Sequence, residues 1–272
     1  MSDTEATTIQ VDRRDAVCQI RISRPEKLNA LDPDSVRLLR RSLQSAAHDA
    51  AIRAIILTGA GGAFSAGGDV SSMREHLDAG DLARLFYDLT GELELTVREL
   101  LEMKKPVVAS IPGVAAGGGL SLALACDWRV ASTNAVLVPA FGDLGAVPDG
   151  GLTFFLPHFV GTGVAQELFF SSSRVKADRA LSLGLVSEVV APEELEARAW
   201  AKATELASGP TLAYAALKHL LVTSYGASLE SQLALERRYA TEVAGGPEIA
   251  EGIVAFGEKR KPDFPSPEDS TP

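Results

Sequence analysis

The spacing of apolar residues predicts strands mixed with helices up to about residue 190 and helices alone beyond it. Alternation places Cys18, Ile20 and Ile22 on one face of a strand. The short apolar runs at 54–57 and 107–111 are typical of strands that are buried on both faces. The pattern therefore predicts an α/β core followed by a helical segment.

Local signals predict the remaining elements. Asp32 is placed as an N-cap, with Pro33 at the first helical position, and we expect that helix to run to about Asp49. Further strands are expected at 128–131, 136–138 and 185–190. Further helices are expected at 70–103, 120–126, 152–158, 163–170, 193–207, 211–224, 228–243 and 248–259.

The same pattern divides the chain into four stretches. Residues 1–8 are expected to form a flexible tail, 9–191 a core, 192–261 a helical region, and 262–272 a disordered tail rich in Pro, Ser and acidic residues.

Composition narrows the class of protein. The chain has 272 residues, 46% of them hydrophobic, which is enough to bury a large core. The formal net charge of -10 argues against a nucleic acid partner, because proteins that track a phosphate backbone carry a basic face. No apolar stretch is long and charge-free enough to span a bilayer, and residues 1–10 lack the apolar segment of a signal peptide. Cys18 and Cys126 are expected to be buried free thiols, which suits a cytoplasmic protein.

Three common kinds of catalytic or cofactor site are not indicated. The histidines of the sequence are His48, His76, His158 and His219. None of them is spaced with another histidine or a cysteine as zinc ligands are. The residues around Ser121 lack the second glycine of a Gly-x-Ser-x-Gly motif. The stretch 59–64 ends in Phe64, where a dinucleotide-binding motif would have its last glycine. We therefore expect neither a metal site nor a bound nucleotide cofactor.

Two glycine-rich turns each follow a predicted buried strand. The first turn covers 63–70 (AFSAGGDV) and the second covers 112–119 (PGVAAGGG). Glycine lets main-chain N–H groups approach a ligand closely, and the second turn leads into a helix whose first N–H groups have no partner within the helix. Two such turns could supply two N–H donors to one oxygen, which is an oxyanion hole. Alternatively, the glycines only permit tight turns and close packing.

Several motifs resemble those of the enoyl-CoA hydratase/isomerase family, also called the crotonase family. They keep the order of the family, span roughly residues 10–262, and are specific when taken together. The motifs are RPEKLNAL at 24–31, AFSAGGDV at 63–70, IPGVAAGGG at 111–119 with ACD at 125–127, LGAVPDGG at 144–151, and FGEKRK at 256–261.

The resemblance implies a fold, an assembly and a ligand. It implies a ββα spiral core and a C-terminal helical region that builds a homotrimer, often as a dimer of trimers. The implied ligand is an acyl-CoA thioester, whose carbonyl oxygen lies between the N–H groups of Ala66 and Gly118.

The resemblance also implies where the CoA part binds. Lys27 and Leu28, with the main chain of Gly68, Asp69 and Val70, are implied to line the CoA pocket. The C-terminal residues implied to meet CoA, in many members from a neighbouring subunit, are Phe256 and Lys259.

The sequence departs from the family at the catalytic carboxylates. A typical hydratase of the family has two glutamates that hold and activate water, and Ser121 and Phe141 occupy those positions here. Neither residue can be a carboxylate base. Asp149 instead resembles the acid/base of some enoyl-CoA isomerases of the family. From the sequence alone, Asp149 could also simply cap a helix that starts near Gly150.

We therefore expect an enoyl-CoA double-bond isomerase in which Asp149 is the only base and returns the proton two carbons further along. An apolar pocket should raise the pKa of this carboxyl towards the working range. No metal or redox cofactor is needed, because the thioester and the N–H donors stabilise the carbanion. One alternative is a hydratase with an atypical water site, formed by Asp149 alone or with Asp143. The other is a non-catalytic acyl-CoA-binding protein that kept the fold.

Overall fold

The computed structural model describes residues 8–264. Its strands are β1 (Ile9–Arg14), β2 (Val17–Ile22), β3 (Ala54–Gly59), β4 (Val107–Ile111), β5 (Val114–Ala116), β6 (Trp128–Ser132), β7 (Val136–Val138), β8 (Val175–Lys176) and β9 (Glu188–Val190). Its α-helices are α1 (Pro33–His48), α2 (Val70–Ala79), α3 (Leu82–Glu102), α4 (Gly118–Ala125), α5 (Leu152–Val160), α6 (Thr162–Phe170), α7 (Ala177–Ser182), α8 (Leu195–Ala207), α9 (Thr211–Ser224), α10 (Leu229–Ala244) and α11 (Pro247–Glu258).

A six-stranded sheet in the order β1-β2-β3-β4-β6-β9 forms the centre of the fold. β1 is antiparallel to β2, and the other neighbouring strands are parallel. Side chains alternate between the two faces of β3: Ile55 and Leu57 pack in one core cluster, and Ala54 and Ile56 pack in another with Trp200 of α8. Helices therefore cover both faces, which explains why β3 is a continuous apolar run rather than an alternating one.

A smaller sheet carries the second glycine-rich turn. β5, which lies inside that turn, pairs in parallel with β7, and β7 pairs antiparallel with β8. The sequence pattern did not predict β5, because two of its three residues are alanines, which are uncommon in strands, and it lies inside a glycine-rich turn.

The predicted start of α1 is confirmed. The Asp32 carboxylate accepts a hydrogen bond from Ser35 N at 2.8 Å, and the Ser35 hydroxyl accepts one from Asp32 N at 2.9 Å. This reciprocal capping box satisfies main-chain N–H groups that have no partner within the helix.

Other predicted boundaries needed correction. The expected helix over 70–103 is two helices, because α2 ends at Gly80, which adopts a left-handed conformation with φ of 78°. The strand expected at 185–190 is limited to Glu188–Val190. The predicted tails 1–8 and 262–272 lie outside the described residues, except for residue 8 and residues 262–264.

Within residues 8–264, no helix is both long enough and apolar enough to cross a membrane.

Candidate active site

The two glycine-rich turns lie side by side. The N–H groups of Phe64 and Ser65 in the first turn donate to Val114 O in the second, at 2.9 and 3.1 Å. Ala116 N donates back to Ser65 O at 2.9 Å. The first turn follows β3 and the second follows β4, so the parallel sheet delivers both to the same edge, at the carboxyl ends of neighbouring strands.

Close contact between two glycines brings the turns together. A β-carbon on Gly67 would lie only 2.8 Å from Ala116 O, and it would need a residue at φ of 85°, which side chains rarely adopt. A β-carbon on Gly117 would lie 3.9 Å from the α-carbon of Gly67. Gly68 and Gly118 directly follow these two residues and therefore sit next to the contact.

The segment 28–31 fixes the first turn from its other side. Ala66 N donates to Leu28 O at 2.9 Å, Leu31 N donates to Gly67 O at 2.7 Å, and Asp69 N donates to Leu31 O at 2.8 Å. The prediction that Ala66 supplies a free donor is therefore wrong, because its N–H is already paired within the chain.

Gly68 replaces Ala66 as the available donor of the first turn. Its N–H has no hydrogen-bond partner among residues 8–264, and the bonds on either side hold the neighbouring peptides in place. Gly118 is the first residue of α4, so its N–H also lies outside the helical hydrogen-bond pattern and at the positive end of the helix. Among the described residues, Gly68 in the first turn and Gly118 in the second thus each offer an amide without a hydrogen-bond partner.

Asp149 lies next to Gly118. A β-carbon on Gly118 would be 3.6 Å from Asp149 Oδ1. This oxygen is buried and has no hydrogen-bond partner among the described residues. Burial raises the pKa of the Asp149 carboxyl to about 6, partly opposed by a hydrogen bond from its own main chain. A carboxyl in this condition is suited to exchanging protons near neutral pH.

The alternative role of Asp149 as a helix cap does not fit the structure. α5 begins at Leu152 with Gly151 as its N-cap, and no side chain caps it. Only the main-chain oxygen of Asp149 contributes, by accepting a hydrogen bond from Leu152 N at 3.1 Å. The side chain is therefore free to act in the site.

The two residues at the hydratase glutamate positions have other partners. Ser121 is fully buried, and its hydroxyl donates to the main-chain oxygen of Asp149 at 2.9 Å. Phe141 is buried, and its ring would lie 3.7 Å from a β-carbon on Gly117. Asp143 is exposed on the 3-10 helix Gly142–Leu144. Ser121 and Phe141 thus lie beside the turns at the two positions that are glutamates in a typical hydratase.

Apolar side chains form the walls around Gly68 and Gly118. Leu93 Cδ2 and Leu31 Cδ1 would lie 3.0 and 3.6 Å from a β-carbon on Gly118. Leu89 Cδ2 would lie 3.7 Å from one on Gly68, and the Met73 side chain lies closer still. These walls explain the desolvation of the Asp149 carboxyl.

Asp69 is held by cations at the outer side of the first turn. Its Oδ2 accepts from Lys27 Nζ at 2.8 Å and from Arg24 Nη2 at 2.9 Å, and its Oδ1 accepts from Ser71 N at 3.0 Å. Burial alone would raise the pKa of the Asp69 carboxyl, but the hydrogen bonds from Lys27, Ser72 and Arg24 outweigh it and lower the pKa. This side chain therefore organises the turn, while the neighbouring residues of the predicted CoA pocket, Leu28 and Val70, are 52% and 57% exposed.

The structure does not bring Phe256 and Lys259 to the site within one chain. Phe256 is 88% exposed on α11, and the segment 261–264 that follows lines a cleft with Val17 and Arg53. Val17 and Arg53 lie at the amino ends of β2 and β3, whereas the first turn follows the carboxyl end of β3. Contact of these residues with CoA in a neighbouring subunit stays a prediction.

Asn29 is a residue of the site that sequence reasoning missed. It is fully buried, and its Nδ2 donates to Ala60 O at 2.8 Å and Ala63 O at 2.7 Å, while its Oδ1 accepts from Arg24 N at 2.9 Å. It adopts φ of 57°, a left-handed conformation that asparagine tolerates better than most residues. The feature of the sequence that could have indicated this role is an asparagine in the short segment just before a predicted helix.

The whole chain is similar to proteins of known family. The sequence model described as enoyl-CoA hydratase/isomerase matches residues 12–267. A short-chain-enoyl-CoA hydratase from Clostridium acetobutylicum is 34% identical over 258 residues, covering 94% of this chain and 97% of that protein. A 1,2-epoxyphenylacetyl-CoA isomerase from Escherichia coli is 34% identical over 248 residues, covering 91% and 94%. The crystal structure of an enoyl-CoA hydratase from Polaromonas sp. JS666 superposes with a TM-score of 0.88 at 31% identity, covering 94% of this chain and 99% of that one.

Proposed function

The chain belongs to the enoyl-CoA hydratase/isomerase family and has the crotonase fold, and from that premise we propose that it is an enoyl-CoA double-bond isomerase with Asp149 as its only acid–base group. One observation carries the proposal. The buried, unpartnered Asp149 Oδ1 lies beside Gly118, while the two positions of the hydratase glutamates hold Ser121 and Phe141.

The reaction begins with a 3-enoyl-CoA whose thioester oxygen accepts hydrogen bonds from the N–H groups of Gly68 and Gly118. The Asp149 carboxylate removes a proton from the carbon next to the thioester carbonyl. The electron pair of the broken C–H bond forms a double bond to the carbonyl carbon, and the carbonyl π electrons move onto the thioester oxygen. The product is an enolate that is conjugated with the existing carbon–carbon double bond. Each N–H donor to such an oxyanion contributes about 10²–10³-fold to the rate.

The second step returns the same proton. The protonated Asp149 donates it two carbons further along, the electron pair moves back, and the product is a 2-enoyl-CoA. One carboxyl suffices, because no atom is gained or lost. The pKa of about 6 keeps the carboxylate available near neutral pH and still allows it to become an acid during turnover. The mechanism requires no metal or redox cofactor, because all charge develops on the thioester.

The CoA part is proposed to leave the site past the exposed side chains of Leu28 and Val70, with Lys27 near its phosphates. Lys27 is 39% exposed and shares Asp69 with Arg24, so it can turn to a phosphate while Asp69 stays paired. Phe256 and Lys259 are proposed to reach the CoA of a neighbouring copy in a homotrimer or a dimer of trimers.

A hydratase is the second candidate, because the Clostridium acetobutylicum relative named as a hydratase is as similar to the chain as the Escherichia coli relative named as an isomerase. In that case Asp149 would activate a water rather than the substrate. Phe141 argues against this, since an aromatic ring cannot hold a water beside the conjugated double bond as a carboxylate can.

Incubation of the purified protein with 3-enoyl-CoA and with 2-enoyl-CoA substrates of several chain lengths tests the proposal. An isomerase forms the conjugated thioester absorbance from the 3-enoyl substrates with no change of mass. Addition of one water to the 2-enoyl substrates at a comparable rate would establish the hydratase instead. Tight binding with no turnover on any substrate would indicate a non-catalytic acyl-CoA-binding protein.

Asp149→Asn, with the exposed Asp143→Asn as the matched control, then tests the base. We expect Asp149→Asn to lose activity by about 10²–10⁴-fold, the usual contribution of a general base. Asp143→Asn should keep the activity of the wild type. Full activity of Asp149→Asn would refute the assignment.

A further inference from the structure

Ser121 connects two elements of the site through its hydroxyl. It lies on α4, and Oγ is 2.9 Å from the main-chain oxygen of Asp149 and 3.3 Å from that of Gly117. A hydroxyl has one proton to donate, so the shorter contact, to Asp149, is the main one. The same Asp149 oxygen also accepts from Leu152 N at 3.1 Å.

These two donors differ in what they hold. Leu152 N–H belongs to the first turn of α5 and moves with the chain that follows Asp149. Ser121 belongs to α4, the helix that begins at Gly118. Its hydroxyl is therefore the donor that ties the Asp149 main chain to the helix supplying an oxyanion amide, one helical turn away.

The small size of both partners makes this contact possible. A β-carbon on Gly150 would lie 2.8 Å from the β-carbon of Ser121, and Gly150 adopts φ of 55°. The Gly150 main chain therefore lies close to the β-carbon of Ser121. Ser121 thus leaves room for the turn to approach α4 and then binds it there.

The carboxylate depends on this attachment, because Asp149 Oδ1 has no hydrogen bond of its own among residues 8–264. Its direction is set by the main chain that carries it and by apolar neighbours such as Leu93. We propose that Ser121 is a positioning residue, whose hydroxyl holds the Asp149 main chain so that the carboxylate faces the substrate carbon beside Gly118. This inference rests on the proposed function in taking Asp149 as the base.

Ser121→Ala removes the hydroxyl and little else. We expect kcat to fall about tenfold, since small misplacements of a reacting group lower rates strongly. KM should stay within about twofold, because Ser121 is placed away from the CoA part. Ser121→Cys, which has a similar size and a weaker donor, should recover part of the loss.

Ser132→Ala is the matched control. Ser132 is also fully buried, and its hydroxyl donates to a main-chain oxygen, that of Pro112, at 2.7 Å. Ser132→Ala also removes the hydrogen bond that Oγ accepts from Asn134 N at 3.1 Å, so it should lower stability at least as much as Ser121→Ala does. Only Ser121→Ala should change kcat.

A second readout does not depend on turnover. Carboxyl ¹³C NMR of labelled aspartate gives the pKa of Asp149, with Asp149→Asn identifying its signal. In Ser121→Ala the loosened turn admits water, so the pKa of Asp149 should fall from about 6 towards the ordinary value of an aspartate. In Ser132→Ala it should not change.

The outcomes separate the positioning role from the proposed function. If the wild type has no isomerase activity but the Asp149 pKa falls in Ser121→Ala alone, Ser121 does hold the Asp149 main chain, and it is the proposed function that fails. The opposite case is a wild type that is an active isomerase and an Asp149→Asn variant that is inactive. If Ser121→Ala then has the same kcat and the same Asp149 pKa as Ser132→Ala, Ser121 is a packing residue and the inference is overturned.

Discussion

Replacing Asp149 with asparagine should make stability less dependent on pH. The Asp149 carboxyl has a pKa of about 6 in the folded protein, against about 3.9 in an unfolded chain. The folded state therefore holds this proton more tightly than the unfolded state does. The contribution to stability is fully present below about pH 4 and is lost as the pH rises through 6.

The size of the effect follows from the two pKa values. Between about pH 5 and pH 8, linkage predicts that this carboxyl lowers the free energy of unfolding by about 1.4 kcal/mol. Asparagine has nearly the same shape and does not titrate. The free energy of unfolding of Asp149→Asn, relative to the wild type, should therefore rise by about 1.4 kcal/mol over that range. Any constant cost of burying the amide cancels from this change with pH.

Urea unfolding at a series of pH values from about 5 to 8, at one ionic strength and one protein concentration, measures this difference. Asp143→Asn is the control, because it removes one carboxyl from an exposed position of the same loop. The acid limb of kcat/KM in the wild type should fall at the same pKa, near 6.

A constant difference between Asp149→Asn and the wild type would refute this reasoning, because it would mean that the carboxyl titrates alike in the folded and unfolded states. An acid limb of kcat/KM near pH 4, the ordinary value for an aspartate, would refute it independently.

Three further substitutions test other parts of the site. In steady-state assays, Lys27→Ala should raise KM for acyl-CoA about fivefold, as expected for the loss of a partly exposed ion pair. Acyl-pantetheine substrates lack the nucleotide phosphates, so an equal rise of KM for them would contradict a role of Lys27 in binding phosphate. Leu93→Ala should lower the free energy of unfolding, measured by chemical denaturation, by about 2–5 kcal/mol. It should also raise kcat/KM for branched acyl groups relative to straight ones, and an unchanged ratio would show that Leu93 does not line the acyl pocket. Asn29→Ala should lower the free energy of unfolding by about 2–3 kcal/mol, because buried main-chain groups lose their partners, and it should lower kcat more than it raises KM. Asn134→Ala, at an exposed position, should change neither the stability nor the kinetic constants.

Much of the fold could be predicted from local sequence, because its signals are local. The apolar runs at 54–57 and 107–111 predicted β3 and β4, and the predicted helix at 211–224 matches α9 residue for residue. The Asp32 cap was also predicted, since the capping side chain and its target are three residues apart. β5 and β8 were missed, because two of the three residues of β5 are alanines and β8 has only two residues, whereas the apolar run of β7 was predicted.

The chemistry of the site was predictable only in part. Sequence alone determined that two glycine-rich turns each follow a buried strand, that an aspartate stands in a Pro-Asp-Gly-Gly turn, and that serine and phenylalanine replace the two glutamates. Only the tertiary structure decided that Gly68 rather than Ala66 has the unpaired amide, and that Ser121 holds the main chain of Asp149. The physical reason is that residue type sets which groups can donate, accept or titrate, whereas their partners and burial come from segments distant in sequence. Leu28 takes the Ala66 amide across 38 positions, and the desolvation that raises the pKa of Asp149 exists only once the chain has closed around it.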